Sequence, residues 1–233
     1  MDKLKTIAHL ESADLTVTGR LVDASNATLY ASADSNGSVI SCIYKPIAGE
    51  RPLWDFQSGN LAHREYASYL LSDCLGLDLI PPTILREGPY GIGMVQAWIE
   101  MDEDVDLMTF FQKDDSRLRK LALFDAIINN TDRKIGHLLP TKDGHLYACD
   151  HGVTFHEEDK LRTVLWQWAG FQFLENEIEI LRQALVAMND SKFMKLLTSN
   201  EIEATKKRIM ALIRDQVFPQ PSEDWPAVPW PPF

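Results

Sequence analysis

The sequence has no apolar run approaching the roughly 20 residues that a membrane-spanning helix needs. Residues 1–10 lack the charged-then-apolar layout of a secretory signal. Integral membrane contact is therefore not expected. Cysteine is scarce: Cys42, Cys74 and Cys149 are odd in number, sit among apolar neighbours and show no C-x-x-C spacing. That pattern excludes a disulfide framework and predicts buried, reduced thiols in a cytoplasmic protein. Basic residues are also few, 23 Lys and Arg against 34 Asp and Glu, for a formal net charge of −11 with no Lys/Arg run. Nucleic acid is not an expected partner, and the charge weighs against an anionic lipid surface. No internal repeat is present.

What remains is an ordinary globular composition, 45% hydrophobic over 233 residues, enough for one domain or two closely packed lobes. Strand patterns come first: residues 14–22 and 28–33 around a turn at 23–26, then 38–47. Residues 60–75 carry Ala67, Leu70, Leu71 and Cys74 at helical spacing, stopped by Gly76 and Pro81-Pro82. A hairpin of 83–86 and 91–99 turns at Glu87-Gly88-Pro89 and runs into the acidic stretch 100–106. Helices are expected at 117–128, 174–188, 190–197 and 202–217. The Pro- and Trp-rich segment 219–233 cannot be helical, so it is either disordered or strapped along the body by Trp225 and Trp230. The fold class is α+β, strands followed by helices.

The most informative stretch is residues 129–155. Asp132 and Asp150 bracket a short hairpin, with arms at 138–140 and 145–149 and Lys142-Asp143-Gly144 as the turn. Such a hairpin brings its ends together, so the two carboxylates meet. Phosphoryl transfer needs that pairing, one carboxylate to orient the attacking group and another to hold a divalent cation. His137 lies five positions after Asp132, where the kinase pattern D-x-x-x-x-N has a metal-binding Asn, and Asp150 opens D-H-G where kinases have D-F-G.

On these residues the chain resembles a known family. D-R-K-I-G-H-L-L is similar to D-R-x-x-x-N-[ILV], and A-C-D-H-G-V-T-F to h-D-[FNH]-G-h-x-F. C-I-Y-K-P is similar to the V-F-K-P of type II phosphatidylinositol 4-kinases. Together they resemble the phosphatidylinositol 3/4-kinase superfamily, with its atypical kinase-like fold, above all its small bacterial members, over about residues 17–168. The resemblance implies a two-lobed protein-kinase-like fold. Residues 1–99 would form a small antiparallel N-lobe with one helix, 100–218 a mainly helical C-lobe, and 219–233 a tail.

It also implies ATP, Mg²⁺ or Mn²⁺, and transfer to a hydroxyl of a protein or small-molecule acceptor. Lys45 would hold the nucleotide phosphates, paired with Glu65, for which Asp55 is a weaker competitor. The hairpin turn lacks G-x-G-x-x-G, leaving Ser25 and Asn26 as phosphate contacts, and backbone groups of Gln96, Ala97 and Trp98 would meet adenine. Asp132 would orient and deprotonate the acceptor, Lys134 balance charge, and Asp150 bind the cation. His137 stands where the family has Asn, so imidazole either shifts the metal preference towards Mn²⁺, contacts phosphate, or leaves activity weak. Three other readings stay open: a non-catalytic nucleotide-binding module, AMP transfer with the nucleotide reversed, and a metal hydrolase built from Asp132, His137, Asp150 and His151. The hydrolase would leave Lys45 and Glu65 without work. For His145, Trp166 and Trp168 packing is the simpler expectation.

Overall fold

The computed structural model describes residues 2–21, 27–51, 53, 56 and 58–233. Its first half builds a sheet and its second half a helical body. Strands β1 (Asp14–Arg20), β2 (Leu29–Ser35), β3 (Ser38–Pro46), β4 (Thr83–Gly88) and β5 (Gly91–Ala97) form one antiparallel sheet in the order β1-β2-β3-β5-β4. The β4–β5 turn falls at Pro89-Tyr90, later than the sequence suggests, because Gly88 pairs with Gly91 and Gly91 takes φ +92°. Such a φ suits glycine, which has no Cβ to clash. Gly93 is required by close approach: a Cβ there would lie 2.5 Å from the Lys45 carbonyl oxygen and 2.6 Å from the Tyr44 ring.

Behind the sheet lies a helix the sequence reading did not anticipate, α1 (Lys3–Ser12). Only Thr6 and Leu10 of its ten residues are buried, too thin an apolar stripe to recognise by period. Leu10 joins Ala31, Ala33, Cys42, Tyr44 and Val95 in the sheet's own core.

The second core belongs to the helical body: α3 (Leu107–Phe110), α4 (Ser116–Ile128), α5 (Glu175–Ala187), α6 (Ser191–Met194) and α7 (Ser199–Asp215), with the hairpin β6 (Leu138–Pro140) and β7 (Leu146–Ala148). Helix α2 (Leu61–Cys74), expected to belong with the sheet, buries Ala67 and Leu71 in this larger core. It thereby spans the junction of the two lobes. Among the described residues no helix is long and apolar enough to cross a membrane.

Burial separates the thiols. The Cys42 thiol is pushed up to about 11 and that of Cys149 to about 12, in both cases mainly by burial, whereas Cys74 is exposed. A thiol-specific reagent at pH 8 is therefore expected to modify one cysteine in the native protein and all three after denaturation. Rapid native labelling of a second thiol would contradict this packing.

Candidate active site

Alternation along β3 decides where Lys45 points. Cys42 and Tyr44 face the sheet's core, so Lys45 between them and the strand end projects to the opposite side. There it meets α2. The first turn of that helix is fixed by the Asn60 side chain, which accepts the His63 N–H at 2.8 Å. Glu50 adds to this by accepting the N–H groups of Leu61 at 2.9 Å and Ala62 at 2.8 Å. Both devices satisfy donors that a helix start otherwise leaves unpaired. Glu65 follows one turn on. Lys45 Nζ lies 2.5 Å from Glu65 Oε1 and 2.9 Å from Asp150 Oδ1, while Glu65 Oε2 accepts the His151 N–H at 2.9 Å.

Glu65 is 1% exposed and Lys45 20%, so their pairing is nearly dry, whereas Asp150 is 45% exposed. Burial raises Glu65 against the pull of Lys45. The Lys45 ammonium is stabilised by both carboxylates over its burial penalty, and Asp150 is held well below the usual carboxylate range, chiefly by Lys45.

The catalytic-loop candidate grows from the end of α4. Asn129 closes that helix in the left-handed conformation, φ +52°, and turns the chain back. Thr131 then donates its N–H and its hydroxyl to Val153 O, at 3.1 and 2.9 Å, and Phe155 donates its N–H to Ile128 O at 2.6 Å. Beneath this stitching lies a fully buried ion pair. Arg133 donates from Nε and Nη2 to the two Asp125 oxygens, each at 2.9 Å, and from Nη1 to Cys149 O at 2.8 Å. Its Nη2 also lies 2.6 Å from His151 Nε2. A guanidinium only donates, so Nε2 accepts and the ring proton sits on Nδ1. Burial, then Arg133, keeps His151 neutral.

This framework brings Asp132, His137 and Asp150 together, with one potential ligand atom from each within 4.8 Å of the others. Asp150 adopts φ +59°, unusual outside glycine and a mark of backbone held for its side chain's position. Asp132 is raised by burial, against Lys134, whose Nζ lies 3.3 Å away. His137 is lowered to about 4, mainly by burial, and is neutral at physiological pH. Its Nε2 lies 3.5 Å from Asp150 Oδ2, and its Nδ1 accepts the Lys134 N–H at 3.4 Å. Two carboxylates and a neutral imidazole suit a divalent cation. Ligation through Nε2 would move the ring proton to Nδ1 and break the Lys134 contact.

These groups line one cleft of about 640 Å³. Lys45, Glu65, Asp132, Lys134, His137 and Asp150 all face it. Ser25, Asn26 and Asp55 lie outside the described residues. Gln96, Ala97 and Trp98 are not among the cleft-lining residues: Gln96 Nε2 donates to Thr83 Oγ1, and the N–H groups of Ala97 and Trp98 donate to Pro82 O and Ser41 O. The backbone donors of Ala97 and Trp98 are thus bonded within the protein. His145 is structural, with Nε2 against Asp78 O at 2.7 Å. Trp168 is buried and donates to Asp114. Trp166 instead donates from Nε1 to Ala227 O, and Thr163 N–H and Ile135 N–H bind Ala227 O and Pro232 O. The tail is thus strapped to the body, and it delivers Trp225, Pro226 and Phe233 to the cleft wall. Those residues, with Glu50 and Arg162, were not singled out for the site by sequence. Nothing in their local spacing marks them.

No protein-family model matches the chain. Protein Rv2133c of Mycobacterium tuberculosis is 39% identical, covering 97% of this chain and 95% of that protein. Phosphatidylinositol 4-kinase gamma 4 of Oryza sativa subsp. japonica is 26% identical over 69% of this chain, which spans only 34% of that protein. Among solved structures, the Golgi casein kinase superposes with a TM-score of 0.55 at 11% identity, over 91% of this chain and 74% of that one. The Helicobacter pylori proinflammatory kinase CtkA gives 0.51 at 11% identity, over 90% and 94%.

Proposed function

This chain belongs to the family of Mycobacterium tuberculosis protein Rv2133c and has the atypical kinase-like fold, and from these premises we propose that it is an ATP-dependent phosphotransferase acting on a hydroxyl acceptor. The observation that carries the reading is Lys45, clamped between Glu65 and Asp150 in a cleft that Asp132 also lines. In this reading Lys45 meets the nucleotide phosphates, and Glu65 fixes the ammonium towards them. Asp132 accepts the acceptor's proton, and burial makes it a stronger base than a solvated aspartate. Lys134 offsets charge that builds on the transferring group. A divalent cation held by Asp150 with Asp132 or His137 would supply neutralisation of the phosphate charge.

The imidazole at 137 favours a second reading, a nucleotide-binding module with little or no turnover. One experiment separates them: turnover of α- and γ-labelled ATP with Mg²⁺ and then Mn²⁺, on wild type and on Asp150→Asn, a substitution that tolerates the left-handed backbone. Phosphate transfer expects release or transfer of the γ-label, dependent on Asp150. Movement of the α-label would identify AMP transfer, and binding without turnover the second reading. His137→Asn is expected to keep or raise Mg²⁺-supported turnover, because an amide oxygen suits Mg²⁺ better than imidazole. Complete loss in that variant would assign the imidazole a role beyond metal preference.

A further inference from the structure

We infer that the tail-walled end of the cleft is an acceptor subsite for a small anionic molecule, a hydroxyl compound bearing a phosphate or carboxylate that Arg162 recognises. The inference rests on the phosphotransferase reading and names its acceptor class.

Arg162 lines the cleft, and its backbone is tied to the loop that carries Asp132: its N–H donates to Asn130 O at 3.0 Å, and its carbonyl accepts the Arg133 N–H at 3.1 Å. Its position relative to Asp132 is therefore set by the backbone. Yet Arg162 Nε is buried and has no hydrogen-bond partner among the described residues. Three other packed arginines have carboxylates, Arg64 with Glu201 at 2.7 Å, Arg119 with Glu177 at 2.7 Å and Arg133 with Asp125 at 2.9 Å, and Arg86 is held by the carbonyls of Leu10 and Ala13. No carboxylate lies within 4.0 Å of Arg162 among the described residues. A buried donor without a partner is costly, and an arginine fork matches a phosphate or carboxylate in two parallel bonds.

The tail sets the size of the occupant. It is bonded on both sides of the subsite, at Thr163 and at Ile135, and Lys160 lies 4.2 Å over the Trp225 ring. Trp225, Pro226 and Phe233 thus stand as an apolar wall at this end of the cleft, narrowing it. A cleft of about 640 Å³ is in the range that encloses one drug-sized ligand. With a nucleotide inside, only a small second molecule fits.

The test uses the full chain saturated with a non-hydrolysable ATP analogue and Mg²⁺ or Mn²⁺, titrated calorimetrically with inorganic phosphate, with acetate, and with phosphatidylinositol vesicles. Wild type is expected to bind phosphate or acetate in the presence of the analogue. Arg162→Gln should weaken that binding about tenfold or more, with analogue affinity unchanged. Should Arg162→Gln lower the melting temperature, Arg162→Lys serves instead, because an ammonium keeps the charge but loses the fork. Analogue binding with no anion binding overturns this inference and leaves the phosphotransferase reading standing. Failure to bind the analogue at all defeats that reading itself. Equal weakening of analogue and anion makes Arg162 a nucleotide ligand, and binding to vesicles alone moves the anion to a lipid; either result overturns the proposal.

Discussion

Lys45→Met is expected to reduce ATP turnover by about 10²–10³-fold, the scale on which removing one preorganised charge from a reacting phosphate acts. The geometry explains why no neighbour replaces it. Among the described residues Lys45 is the cation that touches both Glu65 and Asp150, and Lys134 is engaged with Asp132. The substitution also leaves Glu65 buried opposite a thioether. A buried carboxylate without its cation protonates on folding, so its pKa in the folded state lies above the unfolded value. Stability from such a group is present below the unfolded pKa and is lost as pH rises through the folded one. The variant's stability deficit against wild type should accordingly be smallest in mild acid and grow towards neutral and alkaline pH. Turnover assays at saturating ATP and urea unfolding at several pH values check both halves. Wild-type turnover in Lys45→Met would remove the ammonium from the mechanism.

Arg133→Ala is expected to cost about 3–5 kcal/mol of stability, the range for breaking one side of a fully buried ion pair. Both partners are 0% exposed, and the substitution would leave the buried Asp125 carboxyl with the Asn130 amide and, among the described residues, no cation. The same guanidinium also holds Cys149 O and His151 Nε2, the residues on either side of Asp150. Metal or nucleotide affinity should therefore fall together with stability, whereas Asp132→Asn should affect turnover with little change in unfolding. Chemical denaturation read by tryptophan fluorescence measures the first. A loss below about 1 kcal/mol would mean that the pair contributes no more than a surface bridge.

The contrast between Lys45 and Arg133 shows what a linear reading can reach. Lys45 was picked out because C-I-Y-K-P ends a strand pattern and resembles the V-F-K-P of the family. The hairpin 138–148 was legible because its turn residues are distinctive. Helices α2, α4, α5 and α7 follow from apolar spacing of three and four. Arg133, by contrast, is a fixed letter of the D-R-x-x-x-N pattern, yet nothing beside it in the chain says what it holds. Its partner Asp125 is eight positions earlier, across the left-handed turn at Asn129, where helical spacing no longer predicts neighbours. Arg162 and the tail fail for a related reason. Pro and Trp exclude a helix at 219–233, but where the segment docks depends on the N–H groups of Ile135 and Thr163, far off in the chain. The hinge expectation at Gln96–Trp98 concerns backbone groups, which side-chain identity does not mark; of these, the N–H groups of Ala97 and Trp98 are bonded to Pro82 O and Ser41 O.

The strap that carries Phe233 also governs how the molecule can be handled. Because Pro232 is bonded to the loop carrying Asp132 and Phe233 borders the cleft, a purification handle fused there would emerge beside the reacting groups. A polyhistidine handle in that place would offer imidazoles to any added divalent ion. Fusion ahead of α1, on the far face of the sheet, keeps assays of cation dependence free of that competition.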